Sequence, residues 1–141
     1  MNKLLSFALT SLLVTSLSLG LTLTASAQQN LSFNTVVDNL DLRKNTKLHV
    51  REYWKSIQGQ TITWSGEAFD VQGGAKSRVK IFVADKAKPL YKSYNIVVTS
   101  TDVEKAANIK KGQRVRFTGT LHDYNARRAG AVLEVSDAQL L

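Results

Sequence analysis

The sequence contains no cysteine, which excludes disulfide bonds, thiolate catalysis and the attachment of a metal or haem through cysteine. It contains only two histidines, His49 and His122, which lie far apart in the chain. A zinc site needs three or four ligands, and neither histidine has further ligands at a suitable spacing. We therefore predict no metal site and no cofactor.

Motifs for catalysis are also missing. The chain has no nucleophile elbow, no phosphate-binding loop and no dinucleotide fingerprint. Carboxylates at Glu67, Asp70 and Asp85 are the best candidates for a metal-dependent nuclease, but they do not form a cluster in the sequence. We predict that the protein is not an enzyme, and a metal-dependent hydrolase or nuclease is kept as an unfavoured alternative.

Residues 1–27 have the pattern of a secretory signal peptide. Lys3 precedes a long apolar stretch, and Ala25-Ser26-Ala27 supplies the small residues of a cleavage site. We expect the mature protein to begin at Gln28 and to be periplasmic or secreted, with no stable transmembrane segment after cleavage. A retained membrane anchor is the alternative, because the apolar stretch is nearly long enough to span a bilayer.

The chain of 141 residues carries a formal net charge of +8, and loss of the leader removes only the charge of Lys3. A basic excess of this size favours anionic partners such as nucleic acid, acidic polysaccharide, phospholipid head groups or acidic proteins. It does not choose among them. The residues after the leader are sufficient for one domain with its own core.

Two helices are predicted before the first strand. Within an N-terminal extension over 28–44, the spacing of an amphipathic helix is found at Phe33, Val36, Val37 and Leu40. A second helix shows the same spacing at Val50, Tyr53, Trp54 and Ile57. Asn45 or Thr46 can cap its start, and Gly59 stands where a terminating glycine belongs. We expect this second helix to cover one end of a barrel.

The chain is organised around a strand over 61–71. Ile62 and Trp64 share one face, whereas Phe69 and Val71 continue the pattern on the other parity. Gly66 lies between the two halves. A glycine at a change of register is typical of a β-bulge, so the strand is predicted to bend at Gly66, as a small closed barrel requires.

Alternating apolar residues predict four further strands, over 78–84, 91–99, 114–122 and 131–140. In the third of the five strands, Tyr94 is predicted to point inward with Ile96 and Val98. A short helix capped by Thr101 and Glu104 should separate strands three and four, and 123–130 should form a hairpin loop. This order is that of an OB-fold, a five-stranded Greek-key barrel, so the fold class is all-β with accessory helices.

The segment 45–141 resembles the tRNA-anticodon-binding-like OB domains of small exported bacterial proteins. The resemblance is carried by core and turn positions, namely Trp54-Lys55-Ser56 with Gly59, Trp64-Ser65-Gly66, Asp70-Val71, Lys110-Lys111-Gly112-Gln113 with Val115, Phe117 and Gly119, and Leu133-x-Val135-x-Asp137-Ala138. It implies an OB-fold domain over 45–141. Cytosolic relatives in the superfamily bind nucleic acid.

A ligand-binding site is predicted on the outer face of strand two and in the last hairpin. OB-folds bind oligonucleotides and oligosaccharides across strands two and three, between the first and last hairpin loops. Cations can neutralise phosphates there, and aromatic rings can stack on bases or sugars. The candidate residues are Arg78, Lys80, Phe82, Arg116, Tyr124, Arg127 and Arg128. The alternative is an ordinary solvated strand face.

Trp54 and Trp64 could also stack on a ligand, but both fall on the apolar parity of their elements and are predicted to lie in the core. The sequence thus predicts an exported, non-catalytic binding module for an anionic polymer, either oligonucleotide-like or an acidic glycan. The alternative is a structural or protein-interaction module that docks on a partner protein of the cell envelope.

Overall fold

The computed structural model describes residues 30–127 and 130–141. The predicted signal peptide over 1–27 lies outside the described residues. The elements are α1 (Phe33–Leu40), α2 (Lys47–Ile57), β1 (Thr61–Gly73), β2 (Val79–Ala84), β3 (Ile96–Ser100), α3 (Val103–Ala107), β4 (Arg114–Arg127) and β5 (Gly130–Leu140). None of the helices in the described part of the chain is both long and apolar enough to cross a membrane.

The five strands form a closed barrel in the order β1-β2-β3-β5-β4. Strands β3 and β5 are parallel, and every other neighbouring pair is antiparallel. Helix α3 lies between β3 and β4, and α1 and α2 precede β1. The predicted fold class is therefore confirmed: the chain forms a five-stranded barrel with the strand order of an OB-fold.

The barrel interior is filled by the apolar residues that alternate along the strands, and the most completely buried of them include Ile81, Phe117 and Leu133. Both tryptophans are buried, as predicted. The indole Nε1 of Trp64 donates a hydrogen bond of 2.6 Å to the carbonyl oxygen of Leu31, which satisfies the polar atom of this buried ring.

The two N-terminal helices bury their apolar faces in the same core as the strands. Ser32 caps α1 by accepting a hydrogen bond from the backbone N–H of Thr35, and Thr46 caps α2 in the same way. The Phe33 ring of α1 packs edge-on against Trp64, with centroids 5.3 Å apart. Both predicted helices are thus present.

Strand β1 bulges at Phe69, and the prediction of a bulge at Gly66 was wrong. Ala68 pairs with Val83 and Asp70 pairs with Phe82, which leaves Phe69 as an extra residue without a partner on β2. The side chain of Phe69 is consequently turned outward and is 41% exposed. The predicted parity switch is real, but it occurs three residues later.

Gly66 has a different role, because it lies where β1 passes from its partner β4 to its partner β2. A Cβ atom at this position would lie 2.6 Å from Cγ1 of Val83 and 2.8 Å from the carbonyl oxygen of Ala84. The close approach of the two strands therefore requires glycine.

Three predicted boundaries need correction. Strand β3 begins at Ile96 instead of residue 91. Helix α3 is capped by Asp102, whose carboxylate accepts from the N–H of Lys105, and not by Thr101. Arg127 pairs with Gly130, so most of the predicted hairpin loop over 123–130 is strand.

Candidate ligand-binding surface

Four aromatic rings lie together on the outside of the barrel and are called here the aromatic surface: Phe69, Phe82, Tyr91 and Tyr94. Tyr94 is its centre, because its ring centroid lies 4.9 Å from that of Phe82, 6.1 Å from that of Tyr91 and 6.4 Å from that of Phe69. Phe69 is exposed and the other three rings are half-buried. The group presents an apolar patch beside solvent-exposed strands.

Phe69 and Phe82 point outward for different structural reasons. Phe82 alternates with the buried residues Ile81 and Val83, so the pleat of β2 turns it outward as predicted. Phe69 is outward because of the bulge in β1. Since Asp70 is the register partner of Phe82, the bulged residue lies next to Phe82 across the two strands.

The two tyrosines are presented by a tight turn between β2 and β3. The N–H of Tyr91 donates to the carbonyl of Tyr94 at 2.7 Å, and the reverse bond measures 3.0 Å. Lys92 and Ser93 between them have φ angles of 47° and 77°, which is the left-handed pair that a two-residue type I′ turn requires. The prediction that Tyr94 points into the barrel was therefore wrong.

Asn95 holds this turn in place. Its side chain is buried, with Oδ1 accepting from the N–H of Asp85 at 2.9 Å and Nδ2 donating to the carbonyl of Asp85 at 2.8 Å. Its backbone N–H donates to Val83 of β2, and its carbonyl accepts from Leu133 of β5. The loop that carries both tyrosines is thus tied to two strands, which fixes the position of its backbone on the barrel.

Three cations lie over these rings. The guanidinium carbon of Arg127 is 4.1 Å from the centroid of Tyr91, and the amino group of Lys92 is 5.5 Å from the same centroid. On the other side, the amino group of Lys111 is 5.9 Å from the centroid of Phe69. All three distances fall within the range of cation–π attraction. The rings are therefore flanked by positive charge at both ends.

Acidic groups lie at two edges of the aromatic surface. The side-chain amide of Gln72 donates to Asp70 and holds the pKa of that carboxyl below its usual value, so Asp70 is ionised at neutral pH. Across β3, Glu134 of β5 pairs in register with Val97 and with Asp123 of β4. The outside of the barrel thus changes from basic to acidic between β2 and β5.

The structure brings only some of the predicted site residues together. Phe82 belongs to the aromatic surface, and Arg127 contacts it through Tyr91. Lys80 shares the outer face of β2 with Phe82, and Arg78 lies in the turn just before β2. Phe82 and Arg127 are therefore at the aromatic surface, and Lys80 and Arg78 lie farther along β2.

Two other predicted site residues, Arg116 and Tyr124, lie neither at the aromatic surface nor along β2. Arg116 is exposed and paired with Ser65, where β1 contacts β4. The Tyr124 ring packs against Trp54, with centroids 4.7 Å apart, and so belongs to the α2 side of the barrel. Arg128 lies outside the described residues.

Phe69, Tyr91, Tyr94, Lys92 and Lys111 were not recognised from the sequence as part of this site. One signal was available, because two tyrosines separated by two polar residues are compatible with a two-residue hairpin turn. The turn lacks the Asn-Gly pair that normally marks such hairpins. For Phe69, nothing in the alternation pattern distinguishes an extra bulged residue from an inward one.

The carboxylates weighed as metal ligands each have a separate partner. Glu67 forms an ion pair of 2.7 Å with Lys86, and Asp85 accepts from the N–H of Ala87. Within residues 30–127 and 130–141, no three or more histidine, aspartate or glutamate side chains are grouped so that they could hold a metal ion.

Comparison with known proteins gives no match to a protein-family model and no match among curated proteins. The likeness to OB domains therefore stands on the strand order of the closed barrel and on the helix between β3 and β4. That topology supports a binding module, and the narrower resemblance to tRNA-anticodon-binding-like domains stays a prediction.

Proposed function

We propose that this protein is an exported, non-catalytic binding module whose aromatic surface binds single-stranded oligonucleotides. The observation that carries the proposal is the cluster of four rings flanked by Arg127, Lys92 and Lys111. Export is part of the proposal and is supported by the signal-peptide pattern over 1–27.

The chemistry of single strands fits this arrangement. Unpaired bases expose flat apolar faces that stack on aromatic side chains, and each stacked base contributes about 1–3 kcal/mol to binding. The phosphates between the bases need cations close to the rings, and Arg127 and Lys111 lie within 4.1 and 5.9 Å of the ring centroids of Tyr91 and Phe69. An acidic glycan offers charge and rings of a different shape, and it serves as the comparison ligand.

The expected stacking energy shows that charge and stacking must act together to give useful affinity. Two stacked bases supply about 2–6 kcal/mol, which by itself corresponds to a dissociation constant of about 40 μM or weaker. Affinity should therefore depend strongly on the phosphate contacts. Each contact releases condensed counterions and contributes a slope of about 0.7 to the salt dependence for a single strand.

The test is a titration of the mature protein with labelled oligothymidylate of about 12 nucleotides, a length that one OB barrel can cover. Between about 50 and 200 mM salt, log K should fall linearly with log[salt], with a slope near −2 if three cations contact phosphates. A matched titration uses polygalacturonate as an acidic glycan. Absence of oligonucleotide binding at low salt, or binding of the glycan alone, would contradict the proposal.

A further inference from the structure

A cleft opens next to the aromatic surface, between β1 and the segment that runs from α3 into β4. Its volume is about 260 Å³, and it is lined by Ala68, Asp70, Val71, Ala106, Ala107, Ile109, Lys110 and Lys111. Ala68 and Ala106 form a buried floor, and Val71 and Ile109 pack on the core beside them. The small side chains of the alanines leave this space open.

The cleft is continuous with the aromatic surface. Lys111 lines the cleft and also places its amino group 5.9 Å from the centroid of Phe69. Phe69 itself stands between two lining residues in the chain. The lysine segment is fixed to β1, because the N–H of Gly112 donates to the carbonyl of Ala68 at 2.7 Å and the N–H of Ala68 donates to Gln113 at 2.8 Å.

The size and charge of the cleft limit its occupant. Pockets for complete small-molecule ligands usually measure about 300–1,000 Å³, so this one suits a single ring system. Its floor is apolar, whereas Lys110 and Lys111 make one rim positive. Asp70 lines the β1 side and repels a phosphate there, so an anionic group must lie on the lysine side. A flat base with one phosphate satisfies these conditions.

The charges around the aromatic surface also favour a path in which a bound single strand runs from the rings toward the cleft. On the far side of β3 the strand would meet Glu134 and Asp123, which repel phosphates. The other cationic direction runs along the outside of β2 toward Lys80 and Arg78. The cleft is favoured over it because its buried alanines offer an apolar floor on which a base can pack.

We infer that the cleft between β1 and α3 binds the terminal nucleotide of a single-stranded oligonucleotide that lies on the aromatic surface, with Lys111 contacting the last phosphate. The inference rests on the proposed function, because it assumes the same ligand. It adds a path for the strand, from Arg127 across Tyr91 and Tyr94 to Phe69 and into the cleft.

Ala107 allows the cleft to be filled without touching the core, since it lies on the exposed side of α3 and lines the cleft. Ala107→Leu should weaken binding of the 12-nucleotide strand about fivefold or more, because the terminal base can no longer bury about 40 Å² or more of apolar surface in the cleft. Ala107→Ser keeps the space open and is the matched control, with expected affinity within about twofold of the parent. Melting curves of both variants establish that they fold.

A second readout locates the ligand. In ¹⁵N-labelled protein, the oligonucleotide should shift the amide resonances of Ala107 and Ile109 together with those of Lys92 and Ser93, and Ala107→Leu should abolish only the first pair of shifts. The inference that the cleft binds the terminal nucleotide would be overturned if Lys92 and Ser93 shift, the cleft residues do not, and Ala107→Leu keeps full affinity. The proposed function would then still stand. No binding by the parent would overturn both.

If Ala107→Leu does not fold, Lys111→Ala tests the same inference, because Lys111 is exposed and its substitution should not disturb folding. It should lower the salt slope by about 0.7 and reduce the amide shifts of Ala107 and Ile109. An unchanged slope with unchanged shifts would overturn the inference.

Discussion

The guanidinium group of Arg127 lies over the ring of Tyr91, with 4.1 Å between the guanidinium carbon and the ring centroid. This contact joins the end of β4 to the loop between β2 and β3, two segments that are 36 positions apart in the sequence. Nε of Arg127 is buried without a hydrogen-bond partner, so the two terminal nitrogens of the guanidinium group are the donors that a phosphate would contact. One contact thus links the basic end of β4 to the aromatic surface.

Arg127→Ala should weaken oligonucleotide binding and lower the slope of the salt dependence by about 0.7, the value for one phosphate contact. Arg116→Ala is the matched control, because it removes the same charge from the β1–β4 side of the barrel. Titrations at several salt concentrations measure both effects. Equal losses in the two variants would show that net charge, and not this contact, governs binding.

The turn at Lys92 and Ser93 is held in a conformation that favours asparagine and glycine. Residues other than glycine pay roughly 1–3 kcal/mol in sparsely populated backbone regions. Lys92→Asn with Ser93→Gly should therefore raise the free energy of unfolding by about 1 kcal/mol, measured by urea denaturation. Ser93→Ala should lower it. If the double variant is less stable than the parent, the turn is not strained as described.

Much of the barrel is predictable from alternation, since a strand with one buried face must place an apolar residue at every second position. Val79, Ile81 and Val83 show this, and so does the run around Gly119 in β4. The pattern weakens where no side chain is fully buried. From Asp123 to Arg127 only Tyr124 packs against the core and most of the residues are polar, so the sequence resembles a loop there.

The site is less predictable for a related reason. A bulge shifts the parity of a strand by one residue, and only the pairing of Ala68 and Asp70 with β2 reveals that Phe69 is the residue left over. The role of Asn95 is also hidden from the sequence. This residue stabilises the fold through hydrogen bonds to Asp85, which lies ten residues away. Local sequence patterns do not contain such contacts.

Trp64→Ala should lower the free energy of unfolding by about 3–5 kcal/mol, because it opens a cavity in the core beneath α1. Trp64→Phe keeps most of the packing but leaves the carbonyl of Leu31 without its donor, so its cost should be smaller. Urea denaturation of the three proteins provides the comparison. A midpoint for Trp64→Ala near that of the parent would contradict the assigned register of β1.

Asp41 should make the protein sensitive to acid. Its carboxylate is buried next to Arg43, with 2.7 Å between Oδ2 and Nη2, and the hydrogen bonds from Arg43 hold the pKa of Asp41 at about 2. A lowered folded-state pKa stabilises the fold above the ordinary value of 3.8, and this stabilisation is lost as the pH falls from about 4 toward 2.

Asp41→Asn should therefore be less stable than the parent at neutral pH and should lose less stability than the parent between about pH 4 and pH 2. Urea denaturation across this range measures both effects. Parallel stability profiles for the two proteins would show that the pKa of Asp41 is not lowered by folding.

The central claim is that the aromatic surface binds the ligand, and the most direct measurement is the affinity of Tyr94→Ala for the 12-nucleotide strand at low salt. Tyr94 contacts the other three rings of the surface, so its loss should weaken binding by about 1–3 kcal/mol while leaving the salt slope nearly unchanged. Tyr124→Ala, which removes a tyrosine that packs on Trp54, should keep the parent affinity at temperatures where it is folded. Full affinity in Tyr94→Ala, or an equal loss in both variants, would contradict the account.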